Sequence, residues 1–160
     1  MTPVRCRWLA LPLVLALLPV PARAAAEDDV KAAFADFQKA LKAKDVEKIW
    51  PLLADATQKA ADREAESIRA AYDKAAAKDK TKLEKALGLT KDEITKLTGK
   101  TYLKSTKFNA KTYEIPDGKV TKVTVADKKA TVFYTEADGD KEKLDLVNQD
   151  GKWKLIVPVS

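Results

Sequence analysis

The stretch that decides the fold is residues 116–157, PDGKVTKVTVADKKATVFYTEADGDKEKLDLVNQDGKWKLIV. Apolar and polar residues alternate through it in four short segments, which are rich in the valine, threonine and aromatic residues that favour strands. The segments are 119–125, 130–136, 141–148 and 152–157. The turn signals beside them are Pro116-Asp117-Gly118, Asp138-Gly139-Asp140 and Gln149-Asp150-Gly151. Short strands joined by such turns predict an antiparallel meander with one buried face.

The residues before the meander follow a helical period instead. Val30, Ala33, Phe34, Phe37 and Leu41 lie on one stripe and predict a helix over 29–43. Helices followed by strands, without βαβ alternation, define the α+β class. We therefore expect N-terminal helices packed on a C-terminal antiparallel sheet of about four strands.

Further helices are predicted from caps and breakers. Asp45 is placed to cap a short apolar helix, which Pro51 should break near Trp50. From Asp55 a long alanine-rich helix should reach about Ala77. Its predicted stripe is Ala61, Ala65, Ile68, Tyr72 and Ala75.

Two short helices should complete the helical half. The segments Thr81-Lys82-Leu83-Glu84 and Thr90-Lys91-Asp92-Glu93 read as capping boxes. Gly88 and Gly99 stand where these helices, over 81–87 and 91–98, should end. Tyr102, Leu103 and Phe108 lie in a connection that the pattern does not assign.

Residues 1–24 have the pattern of a cleavable signal peptide. A basic start precedes a 13-residue apolar run, and Ala22-Arg23-Ala24 supplies small residues at a cleavage site. The run is too short to span a membrane as a helix. Cys6 precedes the run, so it is not the cysteine of a lipoprotein. We expect a secreted or periplasmic protein with one domain, residues 25–160, and no integral membrane segment after cleavage.

Charge and composition exclude several function classes. Removing residues 1–24 takes away three arginines, and the net charge falls from +6 to +3. Acidic and basic residues are interspersed along the rest of the chain, which favours a solvated surface over a polyanion site and predicts no nucleic-acid partner. The chain has no histidine, and its one cysteine is Cys6. Residues 25–160 therefore offer no imidazole base, thiolate nucleophile or ordinary zinc site, and we expect neither a metal nor a cofactor.

The order of these segments resembles the NTF2-like (cystatin-like) superfamily. The resemblance rests on the helix Val30 to Leu41, the break Lys42-Ala43-Lys44-Asp45 and the segment Val46 to Leu53. It rests also on the closing hairpin Asn148-Gln149-Asp150-Gly151-Lys152-Trp153-Lys154-Leu155. One departure is that members usually place a strand between the early helices, where residues 55–98 look wholly helical.

The resemblance implies a bent sheet around a long helix, often with a cone-shaped cavity, and leaves function open. Should a cavity exist, the residues expected to line it are Phe34, Phe37, Trp50, Tyr134 and Trp153. Aromatic residues at this spacing more often simply form a filled core. The leading hypothesis is a non-catalytic binding or interaction protein whose partner is a small apolar ligand or an envelope protein. The sequence also leaves open whether the protein forms a homodimer.

The alternative hypothesis is a cavity enzyme of the isomerase, dehydratase or cyclase type. Such an enzyme would use a carboxylate and a tyrosine, because burial raises a carboxylate pKa toward neutrality. The available phenols are Tyr72, Tyr102, Tyr113 and Tyr134. Glu142, near the end of a strand, is the one carboxylate expected close to the buried face.

Overall fold

The computed structural model describes residues 20–112 and 115–159, with side chains from Ala24 onward except that of Lys111. The helices of these residues are α1 Val20–Lys42, α2 Val46–Ile49, α3 Asp55–Lys74, α4 Ala77–Leu87, α5 Lys91–Thr95, α6 Gly99–Tyr102 and α7 Thr106–Lys111. Single 3-10 turns lie at Trp50–Leu52 and Ile115–Asp117. The strands are β1 Lys119–Ala126, β2 Lys129–Thr135, β3 Lys141–Gln149 and β4 Lys152–Ile156. The α+β class is thus confirmed.

The four strands form one antiparallel sheet in the order β1-β2-β3-β4, as the turn signals predict. Register aligns Val132 with Val123 on one side and Leu144 on the other. All three are buried, because alternate residues of a strand point to the same face of the sheet. We call this buried side the inner face, and the opposite side the outer face.

The inner face is covered by α1, which contacts β1, β2 and β4. Phe34 and Phe37 of α1 are fully buried. Two hydrogen bonds fix the helix to the start of β1: the Gln38 side-chain amide donates to the carbonyls of Ile115 and Gly118, at 2.8 and 2.7 Å. The helix begins at Val20, earlier than the expected residue 29. Alanines at 22 and 24–26 have high helix propensity, and Pro21 is tolerated in a first turn.

The connection from α1 to α3 follows the sequence signals. The Asp45 carboxylate accepts the Lys48 N–H as the cap of α2. The helix then gives way to a 3-10 turn at Trp50, next to Pro51. Leu53 forms an isolated parallel bridge with Leu155 of β4, and the Ala54 N–H donates to the Leu155 carbonyl at 2.8 Å. The chain therefore touches the sheet edge before α3 begins.

The boundary between α3 and α4 differs from the expectation. The long helix ends at Lys74 and α4 begins at Ala77, so the predicted capping box at Thr81 is wrong. Thr81 lies inside α4, where its hydroxyl donates to the Ala77 carbonyl at 3.2 Å. A helical threonine can make this bond four residues back, which removes the need for it to cap. Gly88 ends α4 in the left-handed conformation, as expected.

The second capping box is confirmed, but the prediction for Gly99 is wrong. Thr90 and Glu93 cap α5 reciprocally, and α5 ends at Thr95 rather than near 98. Gly99 is the first residue of α6, and Thr98 caps that helix. A Cβ on Gly99 would lie 2.6 Å from the backbone nitrogen of Asp62, and the Gly99 N–H donates to the Asp62 carboxylate at 3.0 Å. The glycine therefore permits close packing of α6 on α3.

The connection before the sheet, whose secondary structure the sequence pattern does not predict, contributes to the core. Tyr102, Leu103 and Phe108 are all buried, on α6, at its end and on α7. Ser105, also buried, caps α7 through the Phe108 N–H. Helices of four and six residues are too short to show a period, so the sequence pattern gave no signal here.

Candidate functional site

The five aromatic residues expected at a cavity belong to the core or its border. Phe34, Phe37, Tyr134 and Trp153 are buried, and Trp50 is half-buried against the same cluster. The rings of Phe34 and Tyr134 lie 5.4 Å apart between centroids, a distance typical of packed aromatic pairs. The four surface clefts described below are lined by other residues. Whether a ligand enters between these aromatics stays a prediction.

A carboxylate–tyrosine pair exists, but it lies between α3 and α4 rather than against the sheet. The buried Tyr72 hydroxyl donates to the half-buried Glu84 carboxylate. This hydrogen bond and burial raise the pKa of Tyr72 to about 12. The phenol therefore holds its proton at neutral pH, which suits a structural contact better than an acid catalyst. The Lys80 ammonium, 5.2 Å from the ring centre, also holds α4 to this residue.

The other phenols serve the fold or fall outside the description. Tyr102 donates to the Val159 carbonyl at 3.1 Å, and burial raises the pKa of its phenol. Tyr134 is buried and stands opposite Glu142 in the strand register, while Glu142 itself is exposed. Tyr113 lies outside the described residues. Within residues 20–112 and 115–159, no group of three or more acidic residues is arranged to hold a metal ion.

The outer face of the sheet carries a concentration of lysines that the linear sequence does not reveal. Strand register places seven lysines on this face and one carboxylate, Asp145. Six of the lysines are exposed and Lys154 is half-buried. Among the described residues, no carboxylate forms an ion pair with any of them. The seven are Lys119, Lys122, Lys129, Lys141, Lys143, Lys152 and Lys154.

Most other acids of the same region are gathered at the ends of the strands. Asp127 and Asp150 occupy the turns at one end, and both have positive φ angles of 52°. Aspartate tolerates this left-handed conformation better than most residues, which gives a local reason for its presence. Glu136, Asp138 and Asp140 form the turn at the other end. Acids and lysines therefore alternate in sequence but separate in space.

The most basic part of the outer face is a cleft of about 430 Å³ around Phe133. Register sets Phe133 between Lys122 on β1 and Lys143 on β3. The Lys122 ammonium lies 5.9 Å from the ring centre, within the range of a cation–π contact. Lys141, two residues from Lys143 on the same face, completes three lysines. The remaining lining residues are Thr121 and Glu142.

The opposite end of the outer face is less basic. A cleft of about 460 Å³ there includes Lys129 and Asp145 among mostly apolar or uncharged residues. Asp145 also accepts a hydrogen bond from the Thr131 hydroxyl at 2.7 Å. Lys154 donates to the Pro51 carbonyl, so its ammonium is already engaged. This end offers fewer available positive charges than the cleft around Phe133.

Two clefts on the helical half have mixed charge. The cleft between α1 and α2, of about 440 Å³, contains Asp36 and Glu47 as well as two lysines. The cleft between α5 and α6, of about 300 Å³, contains Asp92 and Glu93 with two lysines. Neither has an excess of one sign. The cleft around Phe133 differs from both because its lining has three lysines and one acidic residue, Glu142, which the register pairs with the inner-face residue Tyr134.

The comparisons with known proteins found no match. No family model, curated protein or solved structure matches this chain. None of the described helices combines the length and the apolar run that a membrane crossing requires. The description of the outer face as a candidate site therefore rests on its geometry and charge alone. The sequence signal that could have revealed it is the pair of lysines at alternate positions, first at 141 and 143 and again at 152 and 154.

Proposed function

We propose that this chain is an exported, non-catalytic binding protein of the NTF2-like class whose outer sheet face holds an anionic partner. The observation that carries the proposal is the separation of charge on the sheet. Seven lysines share the outer face with one aspartate, while the other acids of that region lie mostly at the turns. Like charges crowded on one surface repel one another, and an anionic partner relieves that repulsion.

The NTF2-like part of the proposal is supported by architecture. A long first helix lies against a four-stranded antiparallel meander, as the resemblance implies. The strand that members usually place between the early helices is not found among the described residues, where Leu53 forms only a single bridge with Leu155. That bridge stands at the sheet edge, beside β4. This support is architectural and does not specify a ligand.

The non-catalytic part is supported by the chemistry of the side chains. The chain lacks histidine, and the carboxylate–tyrosine pair of Tyr72 and Glu84 holds a phenol whose pKa is raised to about 12. A general acid works best when its pKa lies near the working pH. The cavity-enzyme alternative stays a prediction, and it would need a carboxylate and a phenol facing a ligand cavity.

Export is a separate part of the proposal and has a separate test. The N-terminal nineteen residues of the expected signal peptide lie outside the described residues, and residues 20–24 stand at the start of α1. Intact-mass measurement of the full chain, expressed in a bacterium with a functional export pathway, should show loss of residues 1–24 in the exported fraction. An intact chain found only in the cytoplasm would contradict export.

Anion binding is tested with immobilised heparin as a model polyanion. We compare a variant with Lys122, Lys129, Lys143 and Lys152 changed to glutamine against a control with equal charge loss. The control changes four exposed helical lysines to glutamine: Lys59, Lys74, Lys78 and Lys85. The first variant should bind heparin roughly ten-fold more weakly than the unmodified chain at low salt, and the control less than two-fold. Equal losses would show that only net charge matters and would overturn the proposal.

A further inference from the structure

We propose that the cleft around Phe133 is the specific anion site of the outer face, and that its ligand is a short chain of linked phosphate groups. This inference rests on the proposed function and narrows it to one end of the face. Lys122, Lys141 and Lys143 supply three ammonium groups in one cleft. A short phosphate chain carries several charges close together, which matches this local concentration.

The strand geometry sets the scale of the site. Lys122 and Lys143 lie on either side of Phe133, two strand spacings apart, or about 10 Å between their backbones. Lys141 lies two residues along β3 from Lys143, or about 7 Å. The flexible lysine stems allow the three ammonium groups to converge on a ligand lying above Phe133. A single phosphate would neutralise fewer of these charges than a chain would.

Phe133 holds one of the three ammonium groups in place. The Lys122 ammonium stands over its ring at 5.9 Å, and the ring is half-buried between the neighbouring strands. Ordering one lysine before binding reduces the conformational entropy lost when the ligand arrives. No equivalent aromatic residue stands beside Lys129 or Lys152 in the strand register. Phe133 is therefore a positioning residue, and it distinguishes this end from the other.

The acidic turns favour a short ligand over an extended anionic surface. Glu136, Asp138 and Asp140 lie just beyond the cleft, and Asp127 and Asp150 lie at the far ends of the strands. At physiological salt, charges act strongly within about 8 Å. A membrane of anionic lipids laid on the whole face would meet these carboxylates as well as the lysines. A short chain centred on Phe133 reaches neither Asp127 nor Asp150 and stays on the lysine side of the adjacent turn.

Glu142 provides a control for the face to which the ligand binds. The register pairs it with the buried Tyr134, so its side chain leaves the sheet on the inner side, although its backbone passes the cleft between Lys141 and Lys143. Removing its charge should therefore change binding less than removing any of the three lysines. A ligand bound on the inner side of the strand would reverse this order.

The test is calorimetric titration of the full chain with inorganic tripolyphosphate at 50 mM and 150 mM NaCl. The variants Lys122→Gln and Lys143→Gln should each weaken binding by roughly two- to five-fold, and Glu142→Gln, on the other side of the same strand, should change the Kd less than two-fold. Phe133→Leu should weaken it by about two-fold, with a smaller additional loss when Lys122 is already glutamine. Lys152→Gln, at the other end of the face, is the matched control and should change the Kd less than two-fold.

The outcomes separate this inference from the broader proposal. Loss of binding in Lys152→Gln equal to that in Lys143→Gln would overturn the cleft as the site while leaving an anionic partner for the face. Binding to vesicles of phosphatidylglycerol but not to tripolyphosphate would replace the short ligand by a membrane surface. Binding to oligothymidylate alone would replace it by nucleic acid. Heparin binding without face dependence would overturn the proposed function itself.

Discussion

The inner and outer faces of one sheet have opposite chemistry, although the same four strands form both. The inner face presents buried residues such as Val132, Leu146 and Leu155 to α1 and the rest of the core. The outer face presents seven lysines and no covering helix among the described residues. The inner face therefore explains stability, and the outer face is the region available for recognition. A two-residue period is enough to separate these roles.

The two faces also show why the net charge of the chain does not predict the charge of one surface. A charge of +3 for residues 25–160, with both signs interspersed, predicts an ordinary solvated surface. Folding sends alternate residues to opposite faces and sends turn residues to the ends. Lysines separated in sequence by apolar residues then become neighbours. The local charge of a face can thus be large while the average for the domain is small.

The largest expected difference between the faces concerns a buried charge. Val132 is fully buried on the inner face, and its neighbour Thr131 is half-buried on the outer face. Val132→Lys should cost several kcal/mol of unfolding free energy, enough to prevent folding, because the ammonium loses its hydration. Thr131→Lys should change stability by about 0.5 kcal/mol or less. Chemical denaturation measures both, and similar losses would refute the assignment of the two faces.

A smaller difference is expected for truncations on β4. Leu155 is fully buried, whereas the adjacent Ile156 is 43% exposed. Leu155→Ala should reduce the unfolding free energy by about 2–5 kcal/mol, because it leaves a cavity beneath α1. Ile156→Ala should cost less than about 1 kcal/mol. The midpoints of urea denaturation compare them, and a costly Ile156→Ala would indicate that the outer face is covered in solution.

Removing outer-face charge should hardly affect stability. A variant with Lys122, Lys141 and Lys143 all changed to glutamine should unfold within about 0.5 kcal/mol of the unmodified chain, since none of these lysines forms an ion pair with another described residue. Its tripolyphosphate affinity should fall on the order of ten-fold. A large loss of stability would mean that these lysines serve the fold.

The smallest effect on stability is expected from a substitution away from both faces, at the contact between α3 and α4. The pKa of Tyr72 is raised from 10.0 to about 12, chiefly by its hydrogen bond to Glu84. A raised pKa in the folded state means that this contribution is complete below pH 10 and is lost as the pH rises toward 12. Tyr72→Phe should flatten that part of the stability curve, measured by urea denaturation at each pH. An unchanged slope would argue against the bond.

Sequence reasoning predicted the sheet well because its signals are local. The three turns and the alternating residues specify four strands and their buried face, and Asp45 and Thr90 specify caps. The boundary at Ala75 and Ala76 carries no glycine or proline, so nothing marked the end of α3. Gly99 was misread because its need for a small side chain arises from Asp62, 37 residues away. Contacts of that range leave no local pattern.

The candidate site was harder to predict than the fold. The aromatic residues chosen for a cavity are suited to a core by the same hydrophobic chemistry, and four of them are buried there. The lysines at 141 and 143 were visible as an alternating pair, but their neighbour across the sheet, Lys122, depends on register. That register includes an irregularity between Val120 and Lys122. The cleft around Phe133 therefore required the three-dimensional arrangement.

The central claim is that recognition takes place on the outer face, and chemical-shift mapping tests it most directly. The isotopically labelled chain would be titrated with tripolyphosphate at 50 mM NaCl while backbone amide resonances are followed. The account predicts that the largest shifts fall at residues 121–122, 132–134 and 141–143, with little change in α3 and α4. Shifts concentrated on the helices, or among the inner aromatic residues, would contradict it.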